Sequence, residues 1–236
     1  MYQAIPKIIH YCWFGGRPLP ELARKCIASW RHFLPDYEIR EWNEANFDVE
    51  STEYTSRAHK AGKYAFVSDY VRYLALYRHG GLYFDTDVEI IRPLDDLISR
   101  GPFLGIEKTR TTLTINPGLA MGALPGMTFY RDVLNVFEKW HPATDEDFPP
   151  LLLIPETTRL MRISGFEEAD VEQLCSEIRI YPNEYFNPLD DYTGKLNITA
   201  NTKSIHHYAK SWIEGYGPLR DRLAKLYHRF LIAVRK

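Results

Sequence analysis

The stretch YFDTDVEII, residues 83–91, places two aspartates within a run that otherwise favours a buried β-strand. Its aromatic and β-branched residues are strand formers, whereas aspartate is among the poorest and is costly to bury without a partner. In an extended strand Asp85 and Asp87 share one face, and if the strand breaks at Asp85 both lie on a turn at its end. In either conformation the two carboxylates converge.

Two carboxylates this close repel each other unless a cation lies between them, and hard oxygen ligands suit Mg²⁺ or Mn²⁺. A bare D-x-D motif is short, and solvated loop residues or helix caps are its ordinary explanation. Here a helical pattern with a glycine stop leads directly into the apolar strand, and open α/β sheets place ligand sites at such strand ends. We therefore expect a divalent metal ion at Asp85 and Asp87.

The periodicity on both sides of this motif predicts an α/β fold that opens with a βαβ unit. The elements predicted upstream are a strand over 6–14, a helix over 20–35, a strand over 37–42, a helix near 51–62 and a helix within 64–81 that ends at Gly80-Gly81. Those predicted downstream are short strands over 103–107 and 118–123, a helix over 126–140, a strand over 178–186 and a helix over 219–234.

Composition favours a single domain in a reducing compartment. The chain has 236 residues, 45% hydrophobic and 25% charged, which is enough for one α/β domain with a substantial core. Its three cysteines are odd in number and form no C-x-x-C pair, so neither a disulfide framework nor a thiolate zinc site is indicated. The first residues lack the features of a signal peptide, and no apolar run has the length of a membrane span. We expect a cytoplasmic protein.

Charge is distributed unevenly along the chain. Residues 219–236 contain six Lys or Arg and one Asp, a net charge of +5, although the whole chain carries −2. The preceding body is therefore acidic, which argues against a nucleic-acid partner. Apolar residues recur every three or four positions in the same segment. The segment is either a helix docked on the domain with a solvated basic face or a peripheral membrane contact.

Three further features are candidates for a ligand site. Asp69 and Arg72 are neighbours on one helix face, where they can pair with each other or bind a polyhydroxylated ligand. Trp13 ends the first strand beside two glycines, and it is either a core residue or a platform for a nucleobase. His206 and His207 are adjacent in a predicted strand and face opposite ways, so only one of them can join a metal site.

Together these motifs resemble the DXD-containing glycosyltransferases of family 32, which include enzymes of bacterial capsular and surface polysaccharide synthesis and are related to the clostridial glucosylating toxins. The resemblance rests on IPKIIHYCWFGG (5–16), on the stretch from Tyr64 to Ile90, and on IHHYAKSW (205–212). It runs over roughly residues 4–125 and resumes near 204–212. It implies a GT-A type fold with a Rossmann-like sheet, a nucleotide-sugar donor, Mn²⁺ or Mg²⁺ on the diphosphate, and transfer with retention of configuration.

The resemblance implies a role for individual residues, beginning with those that would bind the nucleotide-sugar donor. Trp13 would stack on the uracil or other base, and Asp69 and Arg72 would hold the donor sugar. Ser68 and Tyr83 would flank the donor.

The resemblance next assigns the metal and the phosphates. Asp85 would contact the ribose and the metal shell, Asp87 would bind the metal directly, and His207 would be a further metal ligand. The phosphate contacts that the resemblance implies are Lys210, Ser211 and Trp212.

The resemblance also divides the expected single domain, residues 1–236, by role. Residues 1–125 would bind the nucleotide-sugar, residues 126–215 would form the acceptor side and return to the metal site, and residues 216–236 would be the basic amphipathic helix. Asn116 would lie near the acceptor side of the sugar. The acceptor would be a saccharide, free or lipid-linked.

Two other classes of protein remain compatible with the motifs. DTDVE is similar to the acidic signature of the haloacid-dehalogenase-type phosphohydrolases, although that family places it near the N-terminus and has a small or hydroxylic residue where Glu89 stands. A non-catalytic module that binds a nucleotide-sugar would carry the same site residues. Release of inorganic phosphate would indicate the first class, and absence of turnover the second.

Overall fold

The computed structural model describes residues 4–142 and 152–210 as alternating strands and helices around one mixed sheet. The strands, in chain order, are β1 (Ile8–Cys12), β2 (Glu38–Trp42), β3 (Gly81–Tyr83), β4 (Val88–Ile90), β5 (Phe103–Lys108), β6 (Leu113–Ile115), β7 (Met121–Ala123), β8 (Gln173–Cys175), β9 (Ile178–Tyr181) and β10 (Ser204–His206). The helices are α1 (Glu21–Phe33), α2 (Glu53–Lys60), α3 (Tyr64–His79), α4 (Asp95–Ile98), α5 (Thr128–Glu138), α6 (Leu153–Ile163) and α7 (Asn183–Phe186).

The main sheet has the strand order β2-β1-β3-β7-β5-β9-β8, with β6 paired to β5. β1 runs parallel to β2 and β3, as expected for a βαβ opening, whereas β7 is antiparallel to both β3 and β5. A separate antiparallel pair joins β4 to β10, although more than a hundred residues separate them in sequence. This pair brings the end of the described chain back to the connection between β3 and β4.

Helix α3 delivers the chain into β3 through two glycines. Gly80 has φ 63° and Gly81 has φ 97°, in the region that side-chain-bearing residues rarely adopt. A Cβ atom on Gly81 would lie 2.5 Å from the carbonyl oxygen of Ile8, so β3 can approach β1 this closely only with glycine there. His10 of β1 donates from Nε2 to the Gly80 carbonyl at 2.9 Å. The aspartate stretch is thereby fixed against the centre of the sheet.

Two hydrophobic clusters form the core. One contains α2, α3, α5 and α6 with their sheet residues, and the other contains α1, α4 and α7. Trp30 of α1 is fully buried and donates from Nε1 to the carbonyl of Val88 at 2.7 Å, which ties α1 to β4. In the described ranges, no helix is both long enough and apolar enough to span a bilayer.

The predicted α/β class is confirmed, and so are the elements predicted upstream of the aspartates. The strand predicted over 178–186 was wrong in its second half, because β9 ends at Tyr181 and Pro182 leads into the short helix α7. β6, α6 and β8 had not been predicted from the sequence. The helix predicted over 219–234 lies outside the described residues.

Candidate active site

The two aspartates lie on a sharp connection between β3 and β4, the second of the two alternatives that the sequence allowed. The chain leaves β3 after Tyr83, and Val88 N–H donates to the Asp85 carbonyl at 3.0 Å, which closes a turn around Asp85 and Asp87. β4 then pairs with β10 so that Val88 lies opposite His206. The turn therefore faces a histidine from the far end of the described chain.

Asp85, Asp87 and His206 form a candidate metal centre. One ligand atom from each can be chosen so that all three lie within 4.8 Å of one another. Two carboxylates and an imidazole suit Mn²⁺ or Mg²⁺, and His206 Nδ1 is buried without a hydrogen-bond partner in the described part of the chain. The donor set therefore fits the divalent ion that the sequence predicted.

Without a metal ion, His206 and Asp87 form a buried ion pair at this centre. His206 Nε2 lies 3.3 Å from Asp87 Oδ1. Burial opposes ionisation of Asp87, but His206 and the N–H of Ala209 lower its pKa to about 2. Burial likewise disfavours protonated His206, but Asp87 and the more distant Asp85 raise its pKa to about 9. A bound cation would take the place of the imidazolium proton, since histidine binds metals in its neutral form.

The structure places His207 away from this centre, contrary to the sequence-based prediction. Its Nε2 lies 2.8 Å from Glu89 Oε2, and Lys25 Nζ lies 3.0 Å from the other oxygen of the same carboxylate. Adjacent residues of an extended chain point to opposite sides, and the β4–β10 register directs His206 toward the aspartates. Sequence reasoning could not choose between the two histidines because the choice depends on that long-range register.

Asp69 and Arg72 lie beneath the aspartate turn on the buried face of α3. Arg72 Nη2 donates to Asp69 Oδ1 at 2.9 Å, and Arg72 Nη1 lies 2.9 Å from Asp85 Oδ1. Tyr83 also donates its hydroxyl to Asp85 Oδ1 at 2.9 Å, and its ring stacks under the guanidinium. These contacts connect the Asp69–Arg72 ion pair of α3 to the candidate metal centre.

Asp69 has an unusual electrostatic environment. Burial raises the pKa of Asp69 to about 7, with Asp85 adding to the shift and Arg72 opposing it. Its second oxygen, Oδ2, is buried and accepts no hydrogen bond from residues 4–142 or 152–210. A buried carboxylate oxygen without a donor is costly, and a ligand hydroxyl is one group that could satisfy it.

Asn116 and Gly118 support the turn from the side. Asn116 Oδ1 accepts from Gly118 N–H at 2.8 Å, and the Gly118 carbonyl accepts from Asp85 N–H at 3.3 Å. A Cβ atom on Gly118 would lie 2.3 Å from Asp85 Oδ2. The glycine after Pro117 is therefore required for the position of the Asp85 carboxylate.

Glu107 is a site residue that the sequence analysis missed. Its carboxylate accepts from Asn116 Nδ2 at 3.0 Å and from the Tyr208 hydroxyl at 2.7 Å. The only sequence signal for it is a charged residue at the end of the apolar run FLGIE.

Two further residues predicted at the donor, Trp13 and Ser68, lie on the loop after β1 and in helix α3. Trp13 follows β1, which neighbours β3 in parallel, so Trp13 and Asp85 emerge at the same edge of the sheet. The indole of Trp13 is partly exposed and donates from Nε1 to the carbonyl of Arg17 at 2.5 Å. Ser68 donates its hydroxyl to the carbonyl of Tyr64 at 3.1 Å.

Of the predicted phosphate contacts, the structure describes only one. Lys210 Nζ lies 2.7 Å from Asp191 Oδ2. Ser211 and Trp212 lie outside the described residues.

A known family and two known proteins are similar to this chain in sequence. Residues 20–104 match the family of the glycosyltransferase sugar-binding region containing the DXD motif. An uncharacterized glycosyltransferase of Acanthamoeba polyphaga mimivirus is 26% identical over 201 residues, which are 81% of this chain and 76% of that protein. Inositol phosphoceramide mannosyltransferase 3 of Schizosaccharomyces pombe is 33% identical over 161 residues, which are 65% of this chain and 42% of that protein.

The solved structure of PaToxG glycosyltransferase supports the fold. It aligns with a TM-score of 0.51 at 17% identity, covering 67% of this chain and 69% of that one. The GT-A type fold predicted from the motifs is thereby confirmed. The chain spans less than half of the yeast mannosyltransferase, so that protein's substrates do not transfer directly. Residues 20–104 thus match the DXD-containing sugar-binding region of glycosyltransferases, the mimivirus relative is named as a glycosyltransferase, and the fold agrees with that match.

Proposed function

We propose that this chain is a metal-dependent, retaining glycosyltransferase that moves a hexose from a nucleotide-sugar, with a UDP-sugar favoured, to a saccharide or lipid-linked saccharide in surface polysaccharide synthesis. The supporting observation is that Arg72 contacts both Asp69 and Asp85. This arrangement puts side chains suited to sugar hydroxyls next to side chains suited to a metal-bound diphosphate.

The roles of the residues follow from their contacts. Asp85, Asp87 and His206 would hold the ion, and His206 takes the place that the sequence had given to His207. When bound, the ion would neutralise the negative charge that develops on the departing diphosphate. Asp69 Oδ2 and Arg72 would orient hydroxyls of the donor sugar. No protein nucleophile is required if the acceptor hydroxyl attacks from the face that the diphosphate leaves, which retains the configuration.

A panel of nucleotide-sugars tests the activity without knowledge of the acceptor. With Mn²⁺ present, we expect slow donor hydrolysis that releases free nucleoside diphosphate, fastest for a UDP-hexose. GDP-mannose is the second candidate, because the 33% identical relative is a mannosyltransferase. Release of inorganic phosphate instead would support a phosphohydrolase, and no turnover of any donor would support a binding module.

The metal requirement has its own test. Excess chelator should abolish hydrolysis and Mn²⁺ should restore it, and Asp87→Asn should lower kcat by more than about 10²-fold without unfolding the protein. His206→Ala should weaken Mn²⁺ binding by at least about tenfold. His207→Ala is the matched control, because among residues 4–142 and 152–210 the polar contact that its side chain makes is to Glu89. Full activity in excess chelator would refute a metal-dependent mechanism.

We further propose that residues 1–236 form a single domain and that residues 216–236 contact a membrane as a basic amphipathic helix, which would make the protein cytoplasmic but peripheral. Such a helix gains about 1 kcal/mol per Lys or Arg near an anionic leaflet. Truncation after Gly217 should abolish sedimentation with anionic vesicles at low salt while donor hydrolysis survives. Equal sedimentation of the truncated and full-length proteins would show that the segment has no membrane role.

A further inference from the structure

Glu107 links two parts of the chain that meet at the candidate metal centre. It is the penultimate residue of strand β5 and is half-buried. Each of its carboxylate oxygens accepts one hydrogen bond, Oε2 from Asn116 Nδ2 at 3.0 Å and Oε1 from the Tyr208 hydroxyl at 2.7 Å. Asn116 is nine residues away in sequence and Tyr208 is 101 residues away. Glu107 thus holds the returning segment against the middle of the chain.

Two chains of contacts start at Glu107, and we call each a branch. The first branch runs through Asn116 to Asp85. Because Asn116 Nδ2 donates to Glu107, its Oδ1 is directed to Gly118 N–H at 2.8 Å. The Gly118 carbonyl in turn accepts from Asp85 N–H at 3.3 Å, and a Cβ atom at position 118 would lie only 2.3 Å from Asp85 Oδ2. The orientation of the Asn116 amide, and through it the backbone under Asp85, therefore depends on an acceptor at position 107.

The branch through Tyr208 leads to His206 and Asp87. Tyr208 has φ 52°, a left-handed conformation that costs about 1 kcal/mol or more for a residue other than glycine. That conformation turns Ala209 N–H onto Asp87 Oδ2 at 2.7 Å, and the Tyr208 ring lies 4.2 Å from the His206 ring, centroid to centroid. The single Tyr208 hydroxyl proton has two acceptors within reach, Glu107 Oε1 at 2.7 Å and Asn187 Oδ1 at 2.8 Å, and the charged carboxylate is the stronger one. The hydrogen bond to Glu107 offsets the backbone cost, so it stabilises the turn that holds Asp87 and His206.

We infer that Glu107 is a positioning residue that sets the geometry of the metal centre through Asn116 on one side and Tyr208 on the other, without touching the ion. This inference rests on the proposed metal-dependent function. Partners that orient metal ligands from outside the coordination sphere are worth about 10–100-fold in metal affinity. Removing Glu107 should therefore weaken metal binding although all three ligands remain.

The test is calorimetric titration with Mn²⁺ alone, together with the Mn²⁺ electron paramagnetic resonance spectrum of the bound ion. In Glu107→Gln, the new amide has one acceptor oxygen and one donor group, so either Asn116 Nδ2 faces a donor or the Tyr208 hydroxyl must donate to Asn187 Oδ1, 2.8 Å away, instead of to position 107. We expect the Kd for Mn²⁺ to rise about tenfold or more and the spectrum to broaden, with the thermal unfolding temperature little changed.

A compensating substitution separates positioning from general damage. In the double variant Glu107→Gln with Asn116→Asp, the amide and the carboxylate exchange places, so the introduced amide can donate to the introduced carboxylate while that carboxylate still accepts from Gly118 N–H. We expect the Kd for Mn²⁺ to return to within about threefold of the wild-type value, because the hydrogen-bond chain is complete again. Persistent weak binding in the double variant would overturn the inference.

Glu172→Gln is the matched control. The Glu172 carboxylate is also held between two partners, Arg100 and Arg179, but beside the edge strand β8. It should bind Mn²⁺ as the wild type does. If Glu107→Gln does not fold, Tyr208→Phe replaces it, because it keeps the ring on His206 and loses only the hydrogen bonds of the hydroxyl, and we expect a rise in Kd of about threefold or more.

The outcomes for the inference and for the proposed function are distinct. If the wild-type protein binds no Mn²⁺ and hydrolyses no donor, the proposed function fails. If the wild-type protein does both and Glu107→Gln or Tyr208→Phe binds Mn²⁺ equally well, only the positioning role of Glu107 fails.

Discussion

Arg72 Nη1 lies 2.9 Å from Asp85 Oδ1, so a buried guanidinium on helix α3 is paired with an aspartate of the DXD turn. The contact is an ion pair without hydrogen-bond geometry, whereas Nη2 of the same guanidinium makes a hydrogen bond to Asp69. The positive charge of Arg72 thus compensates the charges of two carboxylates, Asp69 and Asp85. The surroundings hold it charged, since Asp85, Tyr83 and Asp69 outweigh the effect of burial and raise its pKa.

The first prediction concerns Arg72. Arg72→Ala should lower the free energy of unfolding by about 3 kcal/mol, because it leaves the buried Asp69 without its partner charge. Arg72→Lys should restore most of that stability but not the activity, because one ammonium group cannot reproduce the planar contact with two carboxylates. Denaturant unfolding and donor hydrolysis measure the two effects, and a fully active Arg72→Lys variant would contradict the assigned role.

The second prediction separates the donor sugar from the nucleotide. Asp69→Asn should reduce donor hydrolysis by more than about tenfold while leaving affinity for free nucleoside diphosphate nearly unchanged, because Asp69 Oδ2 is assigned to a sugar hydroxyl. Trp13→Ala should weaken both, because the indole is assigned to the base. Calorimetry with UDP and with an intact UDP-hexose measures the difference. Equal losses of UDP affinity in the two variants would contradict the placement of the donor.

The third prediction uses a pair of glycines. A Cβ atom on Gly118 would clash with Asp85 Oδ2, whereas one on Gly122 would lie 2.4 Å from the Phe103 ring in the core. Gly118→Ala should therefore raise the Kd for Mn²⁺ by at least about tenfold with a modest change in unfolding temperature. Gly122→Ala should lower the unfolding temperature and leave the Mn²⁺ affinity of the folded protein unchanged. The same response from both variants would show that Gly118 acts only through packing.

The sequence correctly predicted the helices whose apolar spacing and start and stop residues lie within the segment itself. Helix α1 was expected over 20–35 and spans Glu21–Phe33, because its apolar spacing and the flanking prolines are encoded within the segment itself. Helix α3 was likewise predicted together with its glycine stop. The strand predicted over 178–186 was wrong beyond Tyr181, because Pro182 leads into a short helix and the few apolar residues after it fit a buried helix as well as a strand.

The parts of the candidate site that were not predicted depend on long-range pairing. The resemblance favoured His207 as the metal ligand, but the antiparallel register of β4 with β10 directs His206 toward Asp87. Glu107 has no recognisable motif, and its contact with Tyr208 exists only because the chain returns to the sheet after more than a hundred residues. Neither relationship can be inferred from spacing along the sequence.

The last prediction concerns pH and lies away from the metal centre, at His10. This fully buried histidine accepts from Trp42 Nε1 at its Nδ1 atom and donates from Nε2 to Gly80, so it is held neutral. Burial, together with Arg40 and His79, lowers its pKa from 6.5 to about 4. At pH values between about 4 and 6.5, His10 therefore binds a proton in the unfolded chain but not in the folded protein. Stability is therefore fully present above pH 6.5 and falls as the pH drops toward about 4, by up to about 3 kcal/mol.

Urea unfolding of His10→Gln between about pH 7 and pH 4.5 measures this contribution. Glutamine does not titrate, so the variant should be less stable at neutral pH but should lose less stability on acidification than the wild type does. His32→Gln, which changes an exposed histidine on α1, is the control and should follow the wild-type curve. Parallel curves for His10→Gln and the wild type would show that buried His10 is not the source of the acid sensitivity, because only a group whose proton affinity changes on folding can alter the slope.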